Sequence, residues 1–258
     1  MAEQFGDETA LQFQAGALLL AAGCFARVRP PLSHGGRLET QNPFHEIREA
    51  WRQTLRSPKL RTALAMMLVM GLTLGGTYVP LITLITRDVY GGGSSELSLG
   101  LAAMMLGTTS GSVLLAVAGG VRRQGAALLV GLAGASIAIG GFSLELPFAG
   151  ALALSYAWGL SGAVGMIMTR TISQENAGET HRARILSLFH LALTGSAPLG
   201  SLAVGFAVDR LGAASAALLP AGVLLAAVVV AATTSGLPRV ESINLTRTSS
   251  ENGRRPAD

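Results

Sequence analysis

Side chains that can move a proton or attack a bond are scarce where this chain is most apolar. Six runs, 62–86, 97–121, 126–143, 147–169, 185–208 and 213–234, hold no Asp, Glu, Lys or Arg, and His190 is the one titratable residue of the five acid and base types inside them. Histidine changes charge near neutral pH, which suits His190 to take up and release a proton. It follows Arg184 by six residues, a depth of about 9 Å along a helix rising 1.5 Å per residue. A neutral histidine bonded to a neighbouring helix is the plain structural alternative. Gly159-Leu160-Ser161-Gly162 places a serine at a similar depth, and a serine beside a histidine makes a nucleophile with its base. The single cysteine, Cys24, excludes an internal disulfide and any Cys-rich metal site. No Gly-x-x-x-x-Gly-Lys-Ser/Thr phosphate loop occurs, so neither ATP nor another cofactor is implied.

The remaining polar and aromatic residues in the runs are candidates to line a binding cavity: Thr73, Thr77, Tyr78, Thr108, Tyr156, Trp158, Ser161 and Thr194, with His190. Polar groups held away from water often face a ligand or a wet path. Against this, Ser and Thr also bond their own helix or join neighbouring helices, as small residues such as Gly107, Gly111, Gly159, Gly162 and Gly165 do by close packing. Pro198, in Gly195-Ser196-Ala197-Pro198-Leu199-Gly200, removes a helical hydrogen bond and reads as a hinge or as a static kink.

The elements that must position these residues follow from composition. The chain is 50% hydrophobic and 13% charged, with a mean hydropathy of +0.48; soluble domains carry about 25% charged residues. Crossing a bilayer as a helix takes about 20 apolar residues. A surface helix of that length shows a polar stripe, and these runs show none. They are six transmembrane helices of an all-α membrane protein. Seventeen of the 19 Lys and Arg fall in alternate connections and the two ends, against two on the other side. That asymmetry places the basic loops and the C-terminus in the cytoplasm. It also accounts for the basic pI, so no nucleic-acid partner is needed. The protein is expected in the plasma, or inner, membrane.

Outside the spans, 1–26 reads as a partial transmembrane helix, its strictly apolar part, 15–26, being too short to cross alone. Cys24 follows Leu20-Ala21-Ala22-Gly23, but the basic start of a lipoprotein signal is replaced by Glu3, Asp7 and Glu8. The connector 27–61 contains an amphipathic helix, capped by Asn42-Pro43, with Phe44, Ile47, Trp51 and Leu55 on one face, suited to the membrane surface. The polar tail 236–258 is expected to be disordered.

Sliding the chain by 87 residues lays LLAVAGGVRRQGAA, 114–127, over SLAVGFAVDRLGAA, 201–214, with eight of fourteen positions identical. Arg122 then meets Asp209, Arg123 meets Arg210, and Gly125 meets Gly212. The spans before and after keep nearly the same offset. The six helices therefore read as two inverted three-helix repeats, because an odd number of crossings turns the second copy over. Two such copies can exchange conformations and open a central site to either side. In the Arg-x-Gly turns, glycine permits the reversal and arginine suits the helix C-terminus.

RARILSLFHLALTGSAPLGSLAVGFAVDRLG, 182–212, resembles the fifth helix of the second half of a major facilitator superfamily transporter, nearest the drug- and siderophore-exporting branch. LRSPKLRTAL, 55–64, resembles the start of that half, and AGGVRRQG, 118–125, its Gly-x-x-x-Asp-Arg-x-Gly loop signature, with Arg122 where the signature has Asp. The resemblance spans about 27–235. It implies the second half of a major facilitator fold, with a cavity drawing on 62–86, 97–121, 147–169 and 185–208. It further implies alternating access driven by an ion gradient, possible proton coupling, and efflux of a small amphipathic organic compound. Since that family has twelve helices, a six-helix chain is expected to need a missing N-terminal half or a homodimer partner, or to be a non-catalytic fragment. Gly159-Leu160-Ser161-Gly162 also resembles the Gly-x-Ser-Gly of rhomboid intramembrane proteases, without that family's histidine spacing. A periplasm-active reporter fused after Ser235 is expected to be silent, and the same reporter in the 144–147 connection active; the reverse pattern overturns the assigned topology.

Overall fold

The computed structural model describes residues 54–118, 120–177 and 182–235, with positions 15–16, 19–20, 23–24, 48 and 51–52 before them. Met1–Asn42 and Pro43–Asp258 are separate compact units. In the first, the described positions are helical, with Leu19, Leu20 and the free Cys24 exposed. The remainder of the partial helix, most of the connector before Thr54, and the tail after Ser235 lie outside the described residues. Those described in the connector, Arg48, Trp51, Arg52 and 54–56, are helical, with Trp51 and Leu55 exposed and Thr54 buried.

In the second unit every described element is a helix. They are α1 (Pro58–Met70), a π-helical turn (Gly71–Gly75), α2 (Tyr78–Asp88), α3 (Ser94–Val117), α4 (Gln124–Gly141), a 3-10 turn (Phe142–Leu144), α5 (Phe148–Asn176), α6 (Arg182–Leu211), α7 (Ala213–Ala216) and α8 (Leu218–Thr234). Six stretches are long and apolar enough to cross a membrane: Pro58–Asp88, Ser94–Val117, Gln124–Leu144, Phe148–Asn176, Ala183–Leu211 and Ala213–Thr234. Several ends differ from the apolar runs, each for a local reason. Ser57 accepts from the Leu60 N–H and Pro58 takes the first turn of α1. Glu96 accepts from the Gly93 N–H at 2.8 Å, drawing Ser94–Glu96 into α3. Helix α5 continues past Thr169 to Asn176, whose side-chain amide donates to the Ile172 carbonyl at 2.8 Å.

The first span is not one helix. Glycine is a poor helix former, and Gly71-Leu72-Thr73-Leu74-Gly75-Gly76 widens into the π turn before α2 begins. In hydrocarbon a carbonyl without a donor costs several kcal/mol, and here hydroxyls add donors around the irregular turn. Ser196 donates to the Leu68 carbonyl at 2.9 Å, Thr77 to Leu72 at 3.0 Å, and Ser201 to Gly76 at 2.5 Å. Two of those three come from α6, on either side of Pro198.

The packing exchanges partners between the two three-helix units. The α1–α2 span lies against α6, and α5 lies against α3. Both crossings bring backbone onto backbone. A β-carbon at Gly71 would collide with the Leu193 carbonyl, and one at Gly159 with the Met104 carbonyl. A shift of 88 residues carries Gly71 onto Gly159, and a shift of 89 carries Met104 onto Leu193. The two crossings are the same contact made twice. Between them, α4 packs on α5 and α8 on α4, where Ser136 donates to the Ala221 carbonyl at 2.8 Å.

The core follows this arrangement. Met70, Leu81, Ile85, Leu128, Leu132, Ile139, Ile172 and Leu224 are fully buried in one cluster, and Leu60, Ala63, Met67, Ile185 and Phe189 form a second around the α1–α6 contact. At the other end Tyr90 ties two connections together. Its hydroxyl donates to the Leu146 carbonyl at 2.6 Å and its ring meets Phe148 edge-on. Burial, and then the nearby Glu145 carboxylate, push its phenol above the usual range. Gly159→Val, which thrusts a branched side chain into the Met104 backbone, is expected to destabilise by at least about 3 kcal/mol. Gly205→Val, where a β-carbon meets open space, should behave almost as wild type. Thermal melting of the purified protein in detergent compares them.

Candidate functional site

Between α1, α5 and α6 the helices part to leave a crevice of about 530 Å³. Its walls are Met67 from α1, Met166, Arg170 and Ser173 from α5, and Leu186, Ser187, Phe189, His190 and Leu193 from α6. The smaller core cluster supplies one side through Met67 and Phe189. Arg170 is there because α5 runs on beyond the apolar run; the spacing of 147–169 had put that arginine in a connection. Ser173 is buried and donates to the Thr169 carbonyl at 2.7 Å, and Ser187 donates to Ala183 at 3.0 Å. Both therefore offer only lone pairs to the crevice. Arg170 and His190 are exposed to it, and among the described residues neither side chain makes an ion pair or hydrogen bond.

Of the candidate binding residues, the structure brings only His190 to this crevice. Thr194 lies one turn further along α6, exposed, with its hydroxyl on the His190 carbonyl at 2.6 Å. Thr73 and Thr77 are buried and bonded to Val69 and Leu72 at 2.8 and 3.0 Å. Tyr78 and Trp158 form the centre of an aromatic cluster. Their rings meet edge-on at 4.7 Å, Phe142 joins Trp158 at 6.2 Å, and the Tyr78 hydroxyl donates to the Gly100 carbonyl at 2.7 Å. Nearby in the core, Ser155 is fully buried, its hydroxyl beside that of Tyr78. Thr108 is bonded to Met104 at 3.0 Å, and Tyr156 is partly exposed on α5. Ser161 faces α4, where a β-carbon at Gly134 would sit 2.8 Å from its hydroxyl oxygen. No hydrogen bond joins Ser161 to His190.

The loop motif divides in the structure. Asp209 and Arg210 end α6 on the surface, and Gly212 makes the reversal at φ +82°. Gly125 does not do the same: it is buried inside the first turn of α4, and the positive φ of that connection, +113°, falls at Gly120. The displacement follows from Gln124, which is drawn inward to donate to Glu175 at 2.9 Å while its own carbonyl oxygen stays buried and unpartnered. Arg122 and Arg123 precede it on the surface. Pro198 lies inside α6, which runs unbroken from Arg182 to Leu211. A second cavity of about 310 Å³ lies at the other end, between Asp88, Glu145 and the 208–215 turn.

Six membrane-length helices, exchanged between the two three-helix repeats around a crevice that holds Arg170 and His190, define a polytopic membrane protein. The family model described as Major Facilitator Superfamily matches residues 1–201, and the chain belongs to that family of membrane transporters. The drug- and siderophore-exporting branch is not distinguished by that match. Neither a curated protein nor a solved structure matches the chain. Tyr78→Phe, which removes one buried hydrogen bond and keeps the ring, is expected to cost about 1 kcal/mol. Its effect should appear in detergent melting and not in transport at matched expression, since the hydroxyl is already committed to Gly100.

Proposed function

We propose that the chain exports a small amphipathic organic compound, a drug- or siderophore-like molecule, by alternating access driven by an ion gradient. The observation that carries this reading is the crevice between α1, α5 and α6, a size suited to such a compound. The π turn of the first span and Pro198 of α6 meet beside it. Both lack part of the regular hydrogen-bond ladder, so this contact is the natural place for the two helices to bend as the crevice opens and closes. Arg122, Arg123, Asp209 and Arg210 flank connections that move with it. His190 is the proposed proton carrier within the spans. The membrane is the plasma, or inner, membrane, with the C-terminus in the cytoplasm.

The faces of α3 and α6 support a partner body. They are the least covered spans, showing Leu106, Val113, Leu114 and Val117 on one and Leu191, Leu199, Leu202 and Phe206 on the other. A second six-helix body, a missing N-terminal half or a second copy, would cover them and complete the cavity. The intact mass of the native product separates these: 26.4 kDa with copy-to-copy crosslinks through α3 or α6 indicates a homodimer, and a mass near twice that indicates one longer polypeptide. In inside-out vesicles, uptake of a fluorescent amphipathic dye is expected to require the pH gradient and to be abolished by Met166→Trp, which fills the crevice. Uptake that ignores both the gradient and the substitution sinks the transport reading.

A further inference from the structure

We infer that the crevice selects amphipathic organic anions, a carboxylate, sulfonate or phosphate on an apolar body; this rests on the transport reading above. The apolar part of the lining, Met67, Met166, Phe189 and Leu193, provides a flexible hydrophobic wall. The polar part is one-sided. The hydroxyl hydrogens of Ser173 and Ser187 are already given to their own helices. Among the described residues, the free donors facing the space are therefore the guanidinium of Arg170 and the ring of His190.

Among the described residues no Asp or Glu lines the crevice. Glu175, the next carboxylate along α5, lies five residues beyond Arg170, well round the helix, and accepts from Gln124 instead. A guanidinium against apolar walls without a carboxylate partner is an anion site with its counter-charge left to the ligand. Its planar fork matches the oxygens of a carboxylate, sulfonate or phosphate two at a time. His190, one of the lining residues of α6, adds a second donor on the facing helix. An amine of the same shape meets the repulsion of Arg170, with only the lone pairs of Ser173 and Ser187 to set against it. The volume, about 530 Å³, holds a fused-ring body with its charged group.

Equilibrium binding to the full chain, purified in detergent, tests this with two probes of matched body and opposite charge, tritiated 1-naphthoate and 1-naphthylmethylamine. The naphthoate is expected to bind saturably and to be displaced by 1-naphthalenesulfonate but not by the amine. Arg170→Gln should weaken it by about tenfold or more, the scale of one charge-assisted hydrogen bond. Arg170→Lys, which keeps the charge but loses the planar fork, should fall between wild type and Arg170→Gln, and His190→Gln should weaken binding by less than Arg170→Gln does. Because Arg170 is exposed, neither of its variants should disturb folding. Equal binding of the amine, no saturable naphthoate binding, or indifference to Arg170→Gln overturns the inference. Met166→Trp tells the two failures apart. If it blocks dye uptake while Arg170→Gln changes nothing, the crevice carries substrate without selecting anions. If it too changes nothing, the crevice is not the substrate path.

Discussion

No backbone carbonyl inside a bilayer can go without a donor, and the first span of this protein breaks that ladder at its middle. Everything around the break is arranged to supply what is missing. Hydroxyls from Thr77, Ser196 and Ser201 reach the carbonyls of Leu72, Leu68 and Gly76. The two serines can do so only because α6 lies with its backbone against the span, at a distance that a side chain at Gly71 would forbid. The close crossing and the broken helix are thus one feature. A larger residue at the crossing would separate the helices and withdraw the Ser196 and Ser201 hydroxyls from the Leu68 and Gly76 carbonyls.

The same crossing occurs again between α5 and α3 at Gly159 and Met104, but there both helices are regular. Repetition of the contact sets the architecture of two interlocked three-helix units. The difference between its two occurrences sets where the crevice opens, on the side of the irregular span and of the proline-bearing α6. A transporter of this family thereby gains an asymmetric interior from a symmetric plan.

The six spans were legible because apolar runs without a charge have one stable solution in a membrane. The inverted repeat was legible from the match of 114–127 with 201–214, although its glycines were not equivalent in detail: Gly212 reverses the chain and Gly125 does not. The π turn was not legible, since Gly71–Gly76 reads as an ordinary helix containing glycines until α6 is known to press on it. Of the crevice, only His190 stood out, as a lone titratable group in an apolar run. Arg170 was hidden by the reasoning that a charge marks the end of a span; α5 continues two turns past the last apolar residues, and the arginine becomes a wall. Tyr78 and Trp158 carried the opposite signal. Amphipathic aromatics look suited to a ligand, but edge-on stacking and the Gly100 carbonyl absorb them into the core.

The frame is held by glycine at the crossings and by hydroxyl bonds to carbonyls, neither of which depends on the shape of the larger side chains nearby. Of the crevice walls, Met67 and Phe189 also belong to the α1–α6 core, whereas Met166, Arg170 and His190 are exposed and carry no part of the frame. The exposed walls and the scaffold can therefore change independently. A lineage of such chains can exchange Met166, Arg170 or His190 without disturbing the frame, while the two crossings, fixed by the space between two backbones, tolerate almost no drift.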